Sequence, residues 1–152
     1  MSRRVALAVS LLLLGGCGML FGSPVRLRGY DLAAVHEANR NSPVRVDVVV
    51  VRDGDLAKEV AKLTSAAWFA RKSQLMLDHP RMLEVTSLEP VPGQAVPWRR
   101  VRRTGKAQAA FVFADYGTDG THRVRVDPYR WISIRLAEDS MAVVAGRGPR
   151  RR

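Results

Sequence analysis

The chain has 152 residues, 47% of them hydrophobic and 26% charged, a composition that suits one ordinary globular domain and excludes global disorder. Only one run is apolar enough to consider for a membrane, and it lies at the N-terminus, which excludes a multi-pass membrane protein. The formal net charge of +11 would by itself point to nucleic acid, while the single cysteine excludes an intrachain disulfide framework and any multi-thiolate zinc site.

The first residues change what the charge means. Arg3 and Arg4 lead an apolar run from Val5 to Leu14 that no acid interrupts, the pattern of a secretory signal. The run falls short of the roughly 20 residues that span a bilayer. It ends in Leu14, Gly15, Gly16 and Cys17: small side chains at the two positions a peptidase must accommodate, then the only thiol in the chain. This reads as a bacterial lipobox, with residues 1–16 a lipoprotein signal peptide and Cys17 carrying a diacylglycerol thioether and an N-acyl chain. Gly18 follows the cysteine, with no aspartate to retain the protein in the inner membrane. The expected location is therefore the periplasmic face of the outer membrane. Nucleic acid is absent there, so the basic balance must address anionic lipid, cell-wall carboxylates or an acidic protein.

Residues 17–24 form an acylated tether. Val25 to Tyr30 alternates with period 2 and reads as a first strand. A polar segment from Asp31 to Ser42 follows, closed by Pro43. Val44 to Val51 is the clearest strand, with Val44, Val46, Val48 and Val50 on one face and Arg45 and Asp47 on an expected wet face. Asp53 can cap a helix, Leu56, Val60 and Leu63 recur at helical spacing, and Thr64 and Ser65 restart it. One interrupted helical segment near 55–77 is thus expected, stopped by Asp78, His79 and Pro80. Trp68 and Phe69 on it read as a plug over one end of the core. Strands return at Met82–Leu88, at Val96–Arg103 (basic, an edge strand) and at Gln108–Ala114 (apolar on both faces, so central). They continue at Thr121–Asp127, Trp131–Leu136 and Met141–Val144, the last two joined by a hairpin turn at Glu138 and Asp139. The fold class expected is all-β, a two-sheet sandwich of about eight strands spanning 25–145, with a mobile basic tail over 146–152.

Chemical motifs are few. His36, His79 and His122 stand apart, so no metal pair is visible. There is no nucleophile elbow and no phosphate loop. A periplasmic enzyme with a dispersed site stays open, but no residue pattern argues for it. Trp98 with Arg99, Arg100 and Arg102 forms a candidate basic surface. It reads either as an edge strand protected by charge or as a contact for anionic lipid or cell-wall polymer.

The lipobox, Val25 to Tyr30, the Asn-containing loop and the run from Asn41 through Pro43 to Val48 together resemble the outer-membrane lipoprotein of type VI secretion systems (the TssJ, or SciN, family). Ala66, Ala67, Trp68 and Phe69 match its small-aromatic helix, Leu88 to Gly93 its turn, and Ala110 to Tyr116 its core strand. Ala67 stands where the family usually has an acid, and the segment Asp53–Leu63 and the Arg-rich tail look like additions. The resemblance implies a transthyretin-like sandwich that is not an enzyme and takes no cofactor beyond its acyl chains. It further implies docking onto the large inner-membrane protein of the secretion envelope complex, with no nucleic acid and no small-molecule substrate. The contact carried over is the loop between the first two strands: His36, Glu37, Ala38, Asn39, Arg40 and Asn41.

Overall fold

The computed structural model describes residues 24–102 and 105–149; the expected signal peptide, Cys17 and most of the tether after it, and Arg150–Arg152 of the expected tail lie outside the described residues. Eight strands and two helices follow in the order β1 (Gly29–Ala34), β2 (Arg45–Val51), α1 (Gly54–Val60), α2 (Ser65–Asp78), β3 (Leu83–Leu88), β4 (Ala95–Arg100), β5 (Ala109–Asp115), β6 (Arg123–Arg125), β7 (Trp131–Leu136) and β8 (Met141–Ala145). They form two four-stranded sheets, β4-β1-β7-β8 and β3-β2-β5-β6. The β1–β7 pair is parallel and level from Gly29 opposite Trp131 to Ala34 opposite Leu136; every other pair is antiparallel. The expected two-sheet sandwich is present.

Two cores hold it. Between the sheets, Val46, Val48 and Val50 of β2 meet Leu32 of β1 and Ile132, Ile134 and Leu136 of β7. The alternate residues of the second sheet, Val49 and Val51 of β2 with Phe111 and Phe113 of β5, face a separate cluster supplied by Leu56, Val60, Leu63, Trp68 and Leu75 of the helical segment. The sheet β3-β2-β5-β6 is thus buried on both faces. This corrects the expected wet face of β2: Asp47 is 1% exposed, because the helices cover it. Trp68 likewise lies across the sheet, stacked on Phe113 at 4.9 Å, and does not plug one end. Its indole Nε1 donates to Asp47 Oδ2 at 2.8 Å, and Lys72 Nζ donates to the same oxygen at 2.9 Å. A charge buried at this depth is tolerated because a cation and a hydrogen bond meet it.

The helix boundaries follow local chemistry. Asp53 Oδ1 accepts from the backbone N–H groups of Asp55 and Leu56, and Thr64 Oγ1 from that of Ala67, so each helix starts on an oxygen that satisfies otherwise orphaned donors.

Four boundaries differ from the reading of the sequence. One is β4, expected over Val96–Arg103, which ends at Arg100. The first strand begins four residues later, at Gly29. Val25–Arg28 instead runs along the 127–130 turn, with the Arg26 and Arg28 N–H groups donating to the Asp127 and Arg130 carbonyls, both at 2.8 Å. The sixth strand shrinks to Arg123–Arg125, although Val126 is buried as expected. Residues 146–149 pack where a mobile tail was expected: Gly146 N donates to Trp131 O at 2.7 Å. A side chain on Gly146 would meet the Trp98 ring at 2.6 Å.

Candidate functional site

The loop between β1 and β2 sits at one end of the sandwich and is held from several sides. Val35 N donates to Leu136 O at 3.0 Å, and Gly93 N donates to Val35 O at 3.1 Å. The His36 ring lies over Gly93, whose φ is +77° and where an added Cβ would come within 2.7 Å of the imidazole; only glycine fits both demands. Ala38 is fully buried and pins the middle of the loop to the core.

Beyond Ala38 the backbone turns left-handed for three residues in succession, Asn39 (φ 48°), Arg40 (φ 53°) and Asn41 (φ 62°). Asparagine tolerates this region; arginine is strained there. The conformation persists because Asn39 fixes it. Its Nδ2 donates to Pro43 O at 2.9 Å, its Oδ1 accepts from Gly117 N at 3.1 Å, and its N–H donates to Ala137 O at 3.4 Å. Arg40 Nε reaches Asp139 Oδ1 at 3.3 Å. The loop is therefore braced to the turn before β4, to the segment after β5 and to the β7–β8 hairpin. His36, Glu37, Arg40, Asn41 and Glu138 line a shallow cleft of about 400 Å³.

Of the six residues named from the sequence, His36, Glu37, Arg40 and Asn41 are exposed, Asn39 is half-buried and Ala38 is interior. Four can meet a partner; Ala38 and Asn39 shape the loop. Glu138 and Asp139, read from the sequence as turn-formers, stand beside it, and Asp139 pairs with Arg40. The surface they form is a mixed-charge patch on a stiff backbone. Among the described residues no group of three or more His, Cys, Asp or Glu side chains could hold a metal ion.

Tyr116 supports the patch from beneath. Its hydroxyl donates toward Ser140 O at 2.6 Å and Ala137 O at 3.2 Å, and its ring packs on His122 at 4.8 Å. Burial pushes its pKa up to about 12, against a small lowering from the Ala137 hydrogen bond. An unfolded tyrosine ionises near pH 10, so the unfolded chain loses this proton first. The contribution to stability is complete below pH 10 and is lost as pH rises from 10 through 12. Tyr116→Phe should lower stability by about 1 kcal/mol at pH 8 and flatten the alkaline limb; urea titrations at pH 8 and 11 check both, and an unchanged limb would refute the assignment.

The candidate basic surface lies elsewhere, at the end of the sandwich where β4 stops. A bulge between the Tyr30–Arg99 and Leu32–Val96 pairs changes the phase of β4. Val96 packs into the core, and Trp98 turns to the outer face against Trp131, at 5.7 Å and 81°. Arg99, Arg100 and Arg102 are exposed and Trp98 is half-buried. β4 is an edge strand, as its charge led one to expect.

Two four-stranded sheets with a helical layer over one of them define a two-sheet β-sandwich, a fold shared with several solved structures. The T6SS lipoprotein TssJ1 from Pseudomonas aeruginosa shares the fold with a TM-score of 0.60 at 20% identity, over 83% of this chain and 99% of that one. Lip from Serratia marcescens, a membrane-bound component of the type VI secretion system, matches with a TM-score of 0.57 at 17% identity, over 77% and 97%. A chain in the structure of the T6SS protein TssM C-terminal domain from EAEC matches with a TM-score of 0.52 at 14% identity, over 76% and 95%. No protein-family model matches the sequence, and no curated protein matches it.

Proposed function

We propose that this chain is a structural lipoprotein of a type VI secretion envelope complex and not an enzyme. Cys17 carries the acyl chains, the outer membrane holds the protein on its periplasmic face, and the loop of residues 36–41 docks onto the large inner-membrane component. The fold shared with T6SS lipoproteins supports the assembly role. The observation that carries the docking site is the braced left-handed run at Asn39–Asn41. A loop already fixed in one shape loses little freedom on binding, and strain retained at a surface loop marks a place where shape matters. As the protein's principal role, a Trp98-centred stripe for lipid or cell-wall polymer is the weaker reading, since the Trp98 ring packs against Trp131 and the Gly146 backbone and is not free to serve as an aromatic contact; this bears on the ring and not on the arginines around it.

The test is a detergent pull-down from the native envelope, using acylated bait with an internal tag. The expected catch is a large inner-membrane protein with an extended periplasmic region. It should be lost when residues 36–41 are replaced by a Gly/Ser linker. Retention after replacement moves the docking site; recovery of lipid or cell-wall fragments alone ends the secretion-complex reading.

A further inference from the structure

The sheet registers define a second end of the molecule, opposite the loop. Gly29, Arg100 and Trp131 are level there in one sheet, and Val51, Leu83 and Ala109 in the other. The chain enters the fold across this end through residues 25–28. Arg26, Arg28, Arg100, Arg102, Lys106 and Arg130 gather there, all exposed. None of the six forms an ion pair among the described residues. Of the acids nearby, Asp127 is engaged with Arg125 and the Ala110 N–H, Glu84 with Arg52, Asp53 with the start of α1 and Asp55 with Lys58. Exposed Asp78, beside Leu77, takes only a hydrogen bond from Gln74 among the described residues and leaves the end strongly cationic. At the loop end the balance reverses. Glu37, Glu89, Asp119 and Glu138 are exposed, again without ion pairs among the described residues.

We propose that the entry end is an electrostatic dock for anionic phospholipid headgroups, so that the sandwich sits on its own membrane with the recognition loop pointing away. The inference rests on the anchor reading above for which membrane is involved, but the cationic end stands on the fold itself. Residues 17–24 extend to at most roughly 28 Å, which keeps this end of the domain near any surface that holds Cys17. Where α2 hands over to β3, Leu77 is 75% exposed and Met82 41%, with Arg81 beside them; apolar side chains next to cations suit the headgroup level. A cation close to an anionic leaflet strengthens association by about fivefold. The six cations therefore favour one orientation over free tumbling on a tether.

The test uses the mature chain carrying Cys17→Ser, secreted behind a leader that is cleaved without acylation, and cosedimentation with vesicles. Binding is expected to vesicles containing phosphatidylglycerol, not to phosphatidylcholine alone, and to fall steeply with salt. The combined variant Arg26→Gln, Arg28→Gln, Arg100→Gln and Arg102→Gln should weaken it more than a hundredfold, while Glu37→Gln with Glu138→Gln leaves it intact. Lys106→Gln with Arg130→Gln, on different segments, should give a smaller loss and guards against misfolding of the first set. Equal binding to neutral vesicles, insensitivity to both sets, or capture by isolated cell wall in place of vesicles overturns the proposal. Mass spectrometry of Cys17 in the native envelope decides the anchor separately: an unacylated cysteine removes the anchor and leaves the vesicle result standing.

Discussion

Trp68→Ala is expected to destabilise the folded chain by about 3–5 kcal/mol, the range for emptying a buried aromatic site. Two losses combine. The ring is fully buried and stacked on Phe113, itself fully buried, so a cavity opens between α2 and the sheet. The indole N–H also leaves Asp47 Oδ2, whose carboxylate then depends on Lys72 alone; its other oxygen, Oδ1, already lacks a partner among the described residues. Trp68→Phe separates these losses: it keeps most of the ring and removes the donor, and should cost about 1–3 kcal/mol. A double-mutant cycle with Asp47→Ala measures the coupling directly. If Trp68→Ala lowered the urea midpoint no more than an exposed substitution does, the helical layer would not be part of the cooperative unit.

That layer is also where the sequence was hardest to read. Period-2 alternation located β2 and β7 and their inward faces correctly, because a one-residue slip would turn every side chain to the wrong side, while β5, apolar on both faces, is central as expected. The same rule misread the second face of β2. Asp47 looked like a solvent marker, yet Val48, Val49, Val50 and Val51 run without a polar break, which is the mark of a strand buried on both faces. The helix that covers Asp47 supplies both of its partners from 21 and 25 residues away, and no local pattern announces such a pairing. The first strand was misplaced for a related reason. Asp31 looked like the start of a loop, but it sits inside β1, on the outer face, accepting from Ser133 Oγ and Arg135 Nη1. Strand β7 lies about a hundred residues further along the chain. The loop itself was legible by position, since Pro43 and the flanking strands bound it. Its rigidity was not, because Arg40 meets Asp139 and Asn39 meets Gly117 across 99 and 78 residues.

Asn39→Ala should therefore do more to recognition than to folding. The substitution removes both side-chain hydrogen bonds of Asn39, each contributing about 1 kcal/mol. It also places alanine at φ 48°, where a Cβ without a local hydrogen bond is disfavoured. The core beneath is untouched, since Ala38 and Val44 stay buried, so the loss of global stability should stay near 2 kcal/mol. Affinity for the inner-membrane component should fall by about tenfold to a hundredfold, because a loosened loop must be ordered again on binding. Arg40→Gly provides the contrast. Glycine relieves the strain at φ 53°, offsetting the loss of an exposed ion pair that contributes at most about 1 kcal/mol. Stability should barely change, while any contact that the Arg40 side chain makes is lost. Titration calorimetry against the purified periplasmic domain of the captured protein, with urea denaturation in parallel, separates the cases. Weakened binding by both variants means that shape and charge both matter. Weakening by Asn39→Ala alone means that the partner reads the backbone that Asn39 holds. If neither variant weakens binding, the loop is an ordinary connection and the docking surface lies elsewhere on the sandwich.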